Sequence, residues 1–131
     1  MAARKTAYIG GPMRGYPNWN FEAFHTGAKM MRAFGYKAID PAAEDEKAGI
    51  TPGAKITRDM CKYWVEKDVA FLLKADAIVL LPGWEHSTGA TAELAIARWL
   101  MLRVGYLDPT AGLLHWEDDP SKVYELVKVK P

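Results

Sequence analysis

The segment that constrains the fold most is the uninterrupted apolar run at residues 77–82, Ala-Ile-Val-Leu-Leu-Pro. A run without polar positions is typical of a strand that helices cover on both faces of a parallel sheet. A polar loop follows at residues 83–89, and the Ala- and Leu-rich residues 90–102 predict a helix. Strand, loop and helix in this order form the repeating unit of a doubly wound α/β fold.

The alternation of strand and helix extends over most of the chain. Short apolar runs bounded by glycine or proline predict strands, and apolar residues at helical spacing predict helices. The further predicted strands are residues 7–9, 36–40 and 104–107, and the further predicted helices are residues 21–34, residues 57–74 and a C-terminal helix that begins at Asp119 and Pro120 and ends near Lys128.

Local signals refine this assignment. Asn18 or Asn20 is positioned to cap the helix at residues 21–34, and Gly35 to end it. Residues 42–55 mix charge, glycine and proline without a consistent period, which predicts a mobile loop over the ligand site. We therefore predict one domain over residues 1–131, a Rossmann- or flavodoxin-like α/β fold with a mostly parallel sheet between helices.

Composition argues against several classes of function. The 17 basic and 16 acidic side chains give a net charge of +1, so nothing attracts the chain generally to nucleic acid polymers or to anionic membranes. The single cysteine, Cys61, permits neither an intramolecular disulfide nor a zinc knot and favours a reducing compartment. The apolar segment that ends at Gly10 is too short for a signal peptide or a membrane span, so we expect a cytoplasmic protein.

Open α/β sheets bind ligands beyond the carboxyl ends of their strands, which points to the loops that start at Gly10 and at Gly83. The first loop combines backbone without side chains and a guanidinium, as a phosphate site requires, but it matches neither the ATP-binding nor the dinucleotide-binding glycine motif. An ordinary glycine-rich turn with a surface arginine is the alternative. The candidate phosphate-binding residues here are Gly11, Met13, Arg14 and Gly15.

The second loop leads into a predicted helix N-terminus, where unpaired N–H groups and the helix dipole favour a phosphate. Ser87 and Gly89 are the candidate phosphate-binding residues of this loop. The alternative is that Ser87 or Thr88 only caps the helix, and capping is compatible with phosphate binding at the same position.

Two acidic residues, Glu93 and Asp68, lie on the apolar stripes of their predicted helices, so both carboxylates should point toward the sheet or the edge of the cleft. A Glu that merely complements the helix dipole is the simpler interpretation of Glu93, but its place on the apolar stripe argues against it. Paired inward carboxylates suit glycosidic chemistry, in which one attacks the anomeric carbon and the other holds a hydroxyl or transfers a proton.

Aromatic and amide side chains in or beside the same loops offer a surface on which a base could stack. The candidate base-binding residues are Trp19, Asn20, Trp84 and His86, and Tyr8 and Tyr16 lie nearby in the sequence. Each aromatic residue taken alone also fits a role in the core or on the surface, and His86 fits a structural role as well as that of a general base.

These motifs resemble those of the nucleoside 2-deoxyribosyltransferases. The likeness covers about residues 7 to 102 and rests on the segments Tyr8 to Gly15, Asp68 to Asp76 and Ser87 to Glu93. It is nearer to the branch of 2'-deoxynucleoside 5'-monophosphate N-hydrolases and to phage and bacterial proteins that share the patterns GPMxG and LPGWExSxGAxxE.

The resemblance implies roles for individual residues. Glu93 would be the nucleophile that forms a covalent deoxyribosyl intermediate, Asp68 would donate a proton or position the sugar, and Tyr8 would lie near the sugar and Glu93. Ser87, Gly89, Arg14 and the backbone near Gly11 would bind the 5'-phosphate. Pro12 departs from the pattern, because the monophosphate hydrolases usually have a serine there, and this weakens the expected phosphate site.

We therefore expect an N-glycosidase that acts on a nucleoside 5'-monophosphate, with a 2'-deoxy sugar, without metal or organic cofactor and as a homo-oligomer. A nucleoside deoxyribosyltransferase, a non-catalytic protein that binds or sequesters nucleotides, and a structural protein with an aromatic interface are the alternatives.

Overall fold

The computed structural model describes residues 3–126. This range contains six strands and four helices, with two short 3₁₀ segments at Pro17–Asn20 and Trp84–His86. In chain order the elements are β1 (Thr6–Gly10), α1 (Phe21–Ala33), β2 (Lys37–Ile39), α2 (Pro41–Lys47), α3 (Arg58–Lys74), β3 (Ala77–Leu80), α4 (Thr88–Trp99), β4 (Arg103–Asp108), β5 (Leu113–Trp116) and β6 (Tyr124–Glu125).

All six strands form one sheet in the order β2-β1-β3-β4-β5-β6. The first four strands in this order run parallel, and β5 and β6 are antiparallel additions. The connection from β1 leads outward to β2, whereas β3 lies on the other side of β1, so the order reverses between β1 and β3. This is the arrangement of a flavodoxin-like doubly wound fold. The predicted fold class is confirmed.

The sheet is covered on both faces, as the apolar run in β3 predicts. All four residues of β3 are buried. One core cluster joins the sheet to α1 through residues such as Phe24 and Met31. The other joins it to α3 and α4 through Leu72 and Leu94. The carboxyl ends of β1 and β3 therefore open onto an edge that α3 and α4 flank on one face.

The prediction of a structureless loop over residues 42–55 is wrong in its first part, because α2 occupies Pro41–Lys47. Its N-cap is Asp40, whose side chain accepts a hydrogen bond from the backbone N–H of Ala43 at 3.1 Å and contacts Nδ1 of His25 at 2.6 Å. Proline at the first helical position and an Asp cap are standard helix-start signals. The seven-residue helix is too short to show a period.

The predicted C-terminal helix is also wrong within the described residues. Asp119 and Pro120 lie in turns, and the chain then pairs with β5 through β6. The end of that predicted helix near Lys128 lies outside the described residues. Strand β5 was missed because its hairpin depends on side-chain contacts: the carboxylate of Asp108 accepts hydrogen bonds from the N–H groups of Thr110 and Ala111.

No helix in the described part of the chain is both long and apolar enough to cross a membrane.

Candidate active site

The reversal of strand order brings the loops after β1 and β3 into contact. The backbone N–H of Leu81 donates to the carbonyl of Gly10 at 2.8 Å. Gly83 has a φ of +89° and lies against the hydroxyl of Tyr16 and the ring of Pro12, so a side chain at position 83 would collide with the first loop. The positive φ and the contact both require glycine. The two loops thus form one continuous rim.

Tyr8 and Glu93 meet beneath this rim. Tyr8 is fully buried in β1, and its hydroxyl donates a hydrogen bond to Oε2 of Glu93 from α4. The other carboxyl oxygen, Oε1, lies 3.8 Å from the position that a Cβ on Gly10 would occupy. Glu93 as a residue is half-buried, and its carboxyl group is turned inward beside the end of β1.

Asp68 of α3 completes this group. Its carboxyl group lies close enough to Glu93 and to the hydroxyl of Tyr8 to interact with both. Three elements, β1, α3 and α4, therefore each contribute one ionisable side chain to the same point. We call Asp68 and Glu93 the carboxyl pair.

The carboxyl pair shares a proton because two adjacent carboxylates cannot both ionise easily. Burial raises the pKa of Glu93 well above its usual range, the charge of Asp68 raises it further, and the hydrogen bond from Tyr8 opposes the shift. Burial also raises the pKa of Asp68, to about 6, while its hydrogen bond with Glu93 opposes that shift. As the pH rises, Glu93 is therefore the member of the pair that loses its proton second.

Tyr8 acts as a neutral donor to this pair. Burial raises the pKa of the Tyr8 hydroxyl well above its usual value, and the charges of Glu93 and Asp68 raise it further. The phenol therefore keeps its proton and stabilises the ionised form of Glu93 by donating to it.

The predicted phosphate-binding residues fall into two groups. Ser87 caps α4, since its Oγ accepts a hydrogen bond from the N–H of Ala90 at 3.1 Å, and this leaves the hydroxyl proton free for another acceptor. Gly89 is exposed. Apart from its chain neighbours and the backbone of its own helix, the nearest atom of the described chain to a Cβ added at Gly89 would be Oγ of Ser87, at 4.0 Å. The helix start is therefore open to an anion.

The first loop is less directly shaped as an anion site. Gly11 is buried, and a Cβ there would lie 2.9 Å from Cβ of Leu81, so close packing already accounts for this glycine. Met13 packs against the core, and Gly15 has a φ of +83° and is exposed. Arg14 points to α3, where its Nη2 lies 3.5 Å from Sγ of Cys61.

The predicted base-binding residues have different neighbours. The Trp84 ring packs on Tyr106 of β4 at 6.1 Å between centroids, and His86 is exposed. Trp19 meets Trp64 of α3 edge to face at 6.2 Å, on the side of the rim where Arg14 lies. Asn20 is the N-cap residue of α1, as predicted, but its side chain makes no capping hydrogen bond: the amide donates to the carbonyl of Pro12 at 3.0 Å and so holds the first loop in place.

Two residues that α2 and α3 bring into contact were not recognised from the sequence. Trp64 was counted only as an apolar member of its helix, yet its indole N–H donates to Oδ1 of Asp45 at 3.1 Å. Asp45 was missed because it lies in the segment predicted to be a loop. Asp45 and Asp40 are the buried acidic residues of the described chain. A carboxylate in a short amphipathic run after a proline is the signal that could have marked Asp45.

An open hollow of about 340 Å³ lies outside this cluster, between the end of α2 and the start of α3. None of the carboxyl pair, Tyr8 or the second loop lines it; its lining residues are Ala48, Ile50, Asp59, Met60 and Tyr63. Among residues 3–126, no group of three or more His, Cys, Asp or Glu side chains is arranged to hold a metal ion.

Comparison with protein families places most of the chain in one family. A family described as "Domain of unknown function (DUF4406)" matches residues 5–106. This range starts just before β1 and ends within β4, so it contains both loops of the rim and the carboxyl pair but neither β5 nor β6. No curated protein matches the chain.

Proposed function

Because the chain belongs to the family described as "Domain of unknown function (DUF4406)", its activity has to be inferred from its site, and we propose that it is an N-glycosidase. Its substrate is a nucleoside 5'-monophosphate, with the 2'-deoxy sugar preferred. The observation that carries the proposal is the contact of Tyr8, Asp68 and Glu93 beneath the rim. Likeness to the nucleoside 2-deoxyribosyltransferases adds the expected reaction class.

In the first step an oxygen of Glu93 bonds to the anomeric carbon while the bond from that carbon to the base nitrogen breaks. The electron pair of the broken bond goes to the base nitrogen. The single proton of the carboxyl pair passes to Asp68 and from there to the departing base. One proton on two carboxyl groups thus supplies both an ionised nucleophile and an acid.

In the second step water attacks the anomeric carbon of the glycosyl ester, and Asp68 takes the proton of that water. The sugar phosphate leaves, Glu93 is ionised again, and the pair regains its one proton. We infer the covalent route, rather than direct displacement by water, because the proximity of the two carboxyl groups suits a nucleophile and an acid that act on the same bond.

Phosphate recognition in this proposal depends mainly on the start of α4. The hydroxyl of Ser87, the exposed backbone at Gly89 and the positive end of the helix dipole all favour an anion. Arg14 contributes only if its side chain leaves Cys61 and Trp64, against which it rests in the free protein. No carboxylate in the described part of the chain forms an ion pair with Arg14.

Self-association and a cytoplasmic location are part of the same proposal. The outward side of α3 and α4 supports the first, because Trp99 is 88% exposed and Leu73 of the neighbouring helix 65%. Large apolar side chains that are exposed on neighbouring helices favour an interface there. The lone, half-buried thiol of Cys61 is compatible with a reducing compartment.

The test is release of free base from a panel of nucleoside 5'-monophosphates and nucleosides, followed by chromatography. We expect Glu93→Gln to slow base release by at least about a thousandfold, since it removes the nucleophile. Glu66→Gln is the matched control, because Glu66 is an exposed carboxylate on α3. Base release by Glu93→Gln at the wild-type rate would contradict the assignment.

Two added measurements separate the alternatives. A second free base added to the reaction yields a new nucleoside if the protein is a transferase. Tight nucleotide binding without any base release, at high protein concentration, favours the non-catalytic binding protein instead.

A further inference from the structure

Trp64 of α3 is a large aromatic side chain that the core of the protein does not account for. The residue is half-buried, yet it belongs to neither of the two core clusters and is not among the partly buried residues that pack against them. A tryptophan that is shielded from water without joining the core has a position that other contacts must explain.

The direction of α3 places Trp64 at the rim. The helix ends at Lys74, just before β3 begins at Ala77, and a helix that leads into a parallel strand starts at the carboxyl ends of the strands. Trp64 precedes Asp68 by four residues, so the two side chains lie on one face of α3, with about 5 to 6 Å between their Cβ atoms. Trp64 is therefore one helical turn closer to the rim than Asp68.

Contacts from two other segments hold the indole in this place. Its N–H donates to Oδ1 of the buried Asp45 at 3.1 Å, so the polar edge of the ring is turned to α2. Trp19 of the first loop meets it edge to face at 6.2 Å between centroids. The guanidinium of Arg14, from the same loop, lies over the ring with its Cζ 5.9 Å from the centroid. A ring on which a flat cation rests is accessible from the loop and can receive another flat group.

We propose that the base of the substrate stacks on Trp64, in place of the Arg14 guanidinium. The inference rests on the proposed function, in which Asp68 passes its proton to the departing base, so the base must lie next to Asp68. Trp64 is the aromatic residue one turn from Asp68 on the side of the rim, whereas Phe71, on the other side, packs against the core. Trp64 is thus a substrate-binding residue that fixes where the base lies.

Stacking on Trp64 has a consequence for specificity. Every base has a face that can stack on an indole, so this contact adds affinity without selecting one base by its hydrogen-bonding groups. The indole N–H cannot read the base either, because it is engaged by Asp45. Trp84, a base-binding candidate from the sequence, instead packs on Tyr106 of β4.

The experiment measures binding by calorimetry in Glu93→Gln, in which base release is blocked. The probes are a set of nucleoside 5'-monophosphates and 2-deoxyribose 5-phosphate, which lacks the base. We expect the added change Trp64→Leu to weaken nucleotide binding about ten- to a hundredfold, as loss of one stacked base implies, and to leave binding of the sugar phosphate unchanged.

Tyr63→Leu is the matched control. Tyr63 is the preceding residue of α3, it is 37% exposed, and its hydroxyl accepts a hydrogen bond from Lys67 at 2.8 Å. Trp64→Phe provides a second variant, because it keeps a ring for stacking and should bind the nucleotide more tightly than Trp64→Leu. One measurement needs no change at position 64: the indole N–H signal of Trp64 in NMR should shift when the nucleotide binds, while that of Trp99, which is 88% exposed, should not.

The outcomes separate the inference from the proposed function. Unchanged nucleotide affinity in the folded Trp64 variants, or a Trp64 signal that a bound nucleotide does not shift, would overturn the inference and leave the N-glycosidase standing. Equal weakening of nucleotide and sugar phosphate by Trp64→Leu would also overturn it, because the change would then act on the site as a whole. If the protein binds no nucleotide and the wild type releases no base, the proposed function fails and the inference fails with it.

Discussion

At the scale of single residues, the hydrogen bond from Tyr8 decides how readily Glu93 ionises. Tyr8→Phe removes a bond that lowers the pKa of Glu93, so that pKa should rise further. Less nucleophile is then ionised at a given pH, and we expect base release to fall about ten- to a hundredfold, the usual range for one hydrogen bond to a charged group. The acidic limb of the rate profile should move to higher pH.

The measurement is base release against pH for the wild type, Tyr8→Phe and Tyr124→Phe. Tyr124 lies in β6, away from the carboxyl pair, so the control makes the same chemical change without touching Glu93. A Tyr8→Phe profile that overlays both others would show that the hydrogen bond does not tune the nucleophile.

At the scale of elements, the start of α4 combines a cap and a candidate phosphate site, and Ser87→Asp separates the two. Aspartate is as good an N-cap as serine, so the free energy of unfolding should change by less than about 0.5 kcal/mol. Its negative charge should repel a bound phosphate. We expect KM for a nucleoside 5'-monophosphate to rise at least about tenfold, while cleavage of the matching nucleoside is unaffected.

Steady-state kinetics on the two substrates and urea unfolding provide the readouts. If Ser87→Asp lowers kcat/KM equally for the nucleotide and the nucleoside, the phosphate is bound elsewhere. Ser87→Ala complements the test, because loss of the cap should lower the free energy of unfolding by about 1 kcal/mol.

The elements with strong local signals could be predicted from the sequence. The apolar run gave β3, and helical spacing gave α1, α3 and α4 to within a few residues. Short elements were missed, because α2 has seven residues and β5 has four, too few to show a period. Their formation depends on contacts with distant residues, such as the one between Asp40 and His25.

The site was predictable only in part for the same reason. Helix periodicity indicates that Glu93 and Asp68 turn inward, but it cannot give the contact between them or the donor Tyr8. Phosphate and base residues were inferred from loop composition, and composition does not show that Arg14 rests on α3 or that Asn20 bonds to Pro12. Asp45 is buried against Trp64 only because α2 forms.

At the scale of the whole molecule, the inward carboxyl groups cost stability at neutral pH. The pKa values of Asp45 and Asp68 are both raised from 3.8 to about 6, and that of Glu93 is also raised. Between pH 4 and pH 6, roughly, the folded protein binds more protons than the unfolded chain, so the free energy of unfolding should fall as the pH rises through this window. The lowered pKa of Glu117 acts in the opposite direction.

Asp68→Asn tests this linkage by urea unfolding at pH 4.5 and pH 7. Folding disfavours the ionised form of Asp68. Its replacement by asparagine should therefore raise the free energy of unfolding at pH 7 by about 1 to 3 kcal/mol and flatten the pH dependence of that free energy. Glu66→Gln should do neither. A variant less stable than the wild type at pH 7, with an unchanged slope, would contradict the account.

The apolar surface of α3 and α4 gives a second prediction at this scale. Trp99→Lys places a charge in the proposed contact, so the homo-oligomer should dissociate to monomers in light scattering. Val123→Lys is the control, because Val123 is also an exposed apolar residue, at 59%, but lies outside both helices. A wild type that is monomeric at tens of micromolar would remove the basis for an oligomer.

The central claim is that Glu93 bonds covalently to the sugar, and acid quenching followed by peptide mass spectrometry tests it most directly. With a cleavable nucleoside 5'-monophosphate, the peptide containing Glu93 should gain the mass of the sugar phosphate without the base. The gain should be absent in Glu93→Gln and present in Glu66→Gln. Rapid base release without an adduct, or an adduct on a peptide that lacks Glu93, would contradict the mechanism.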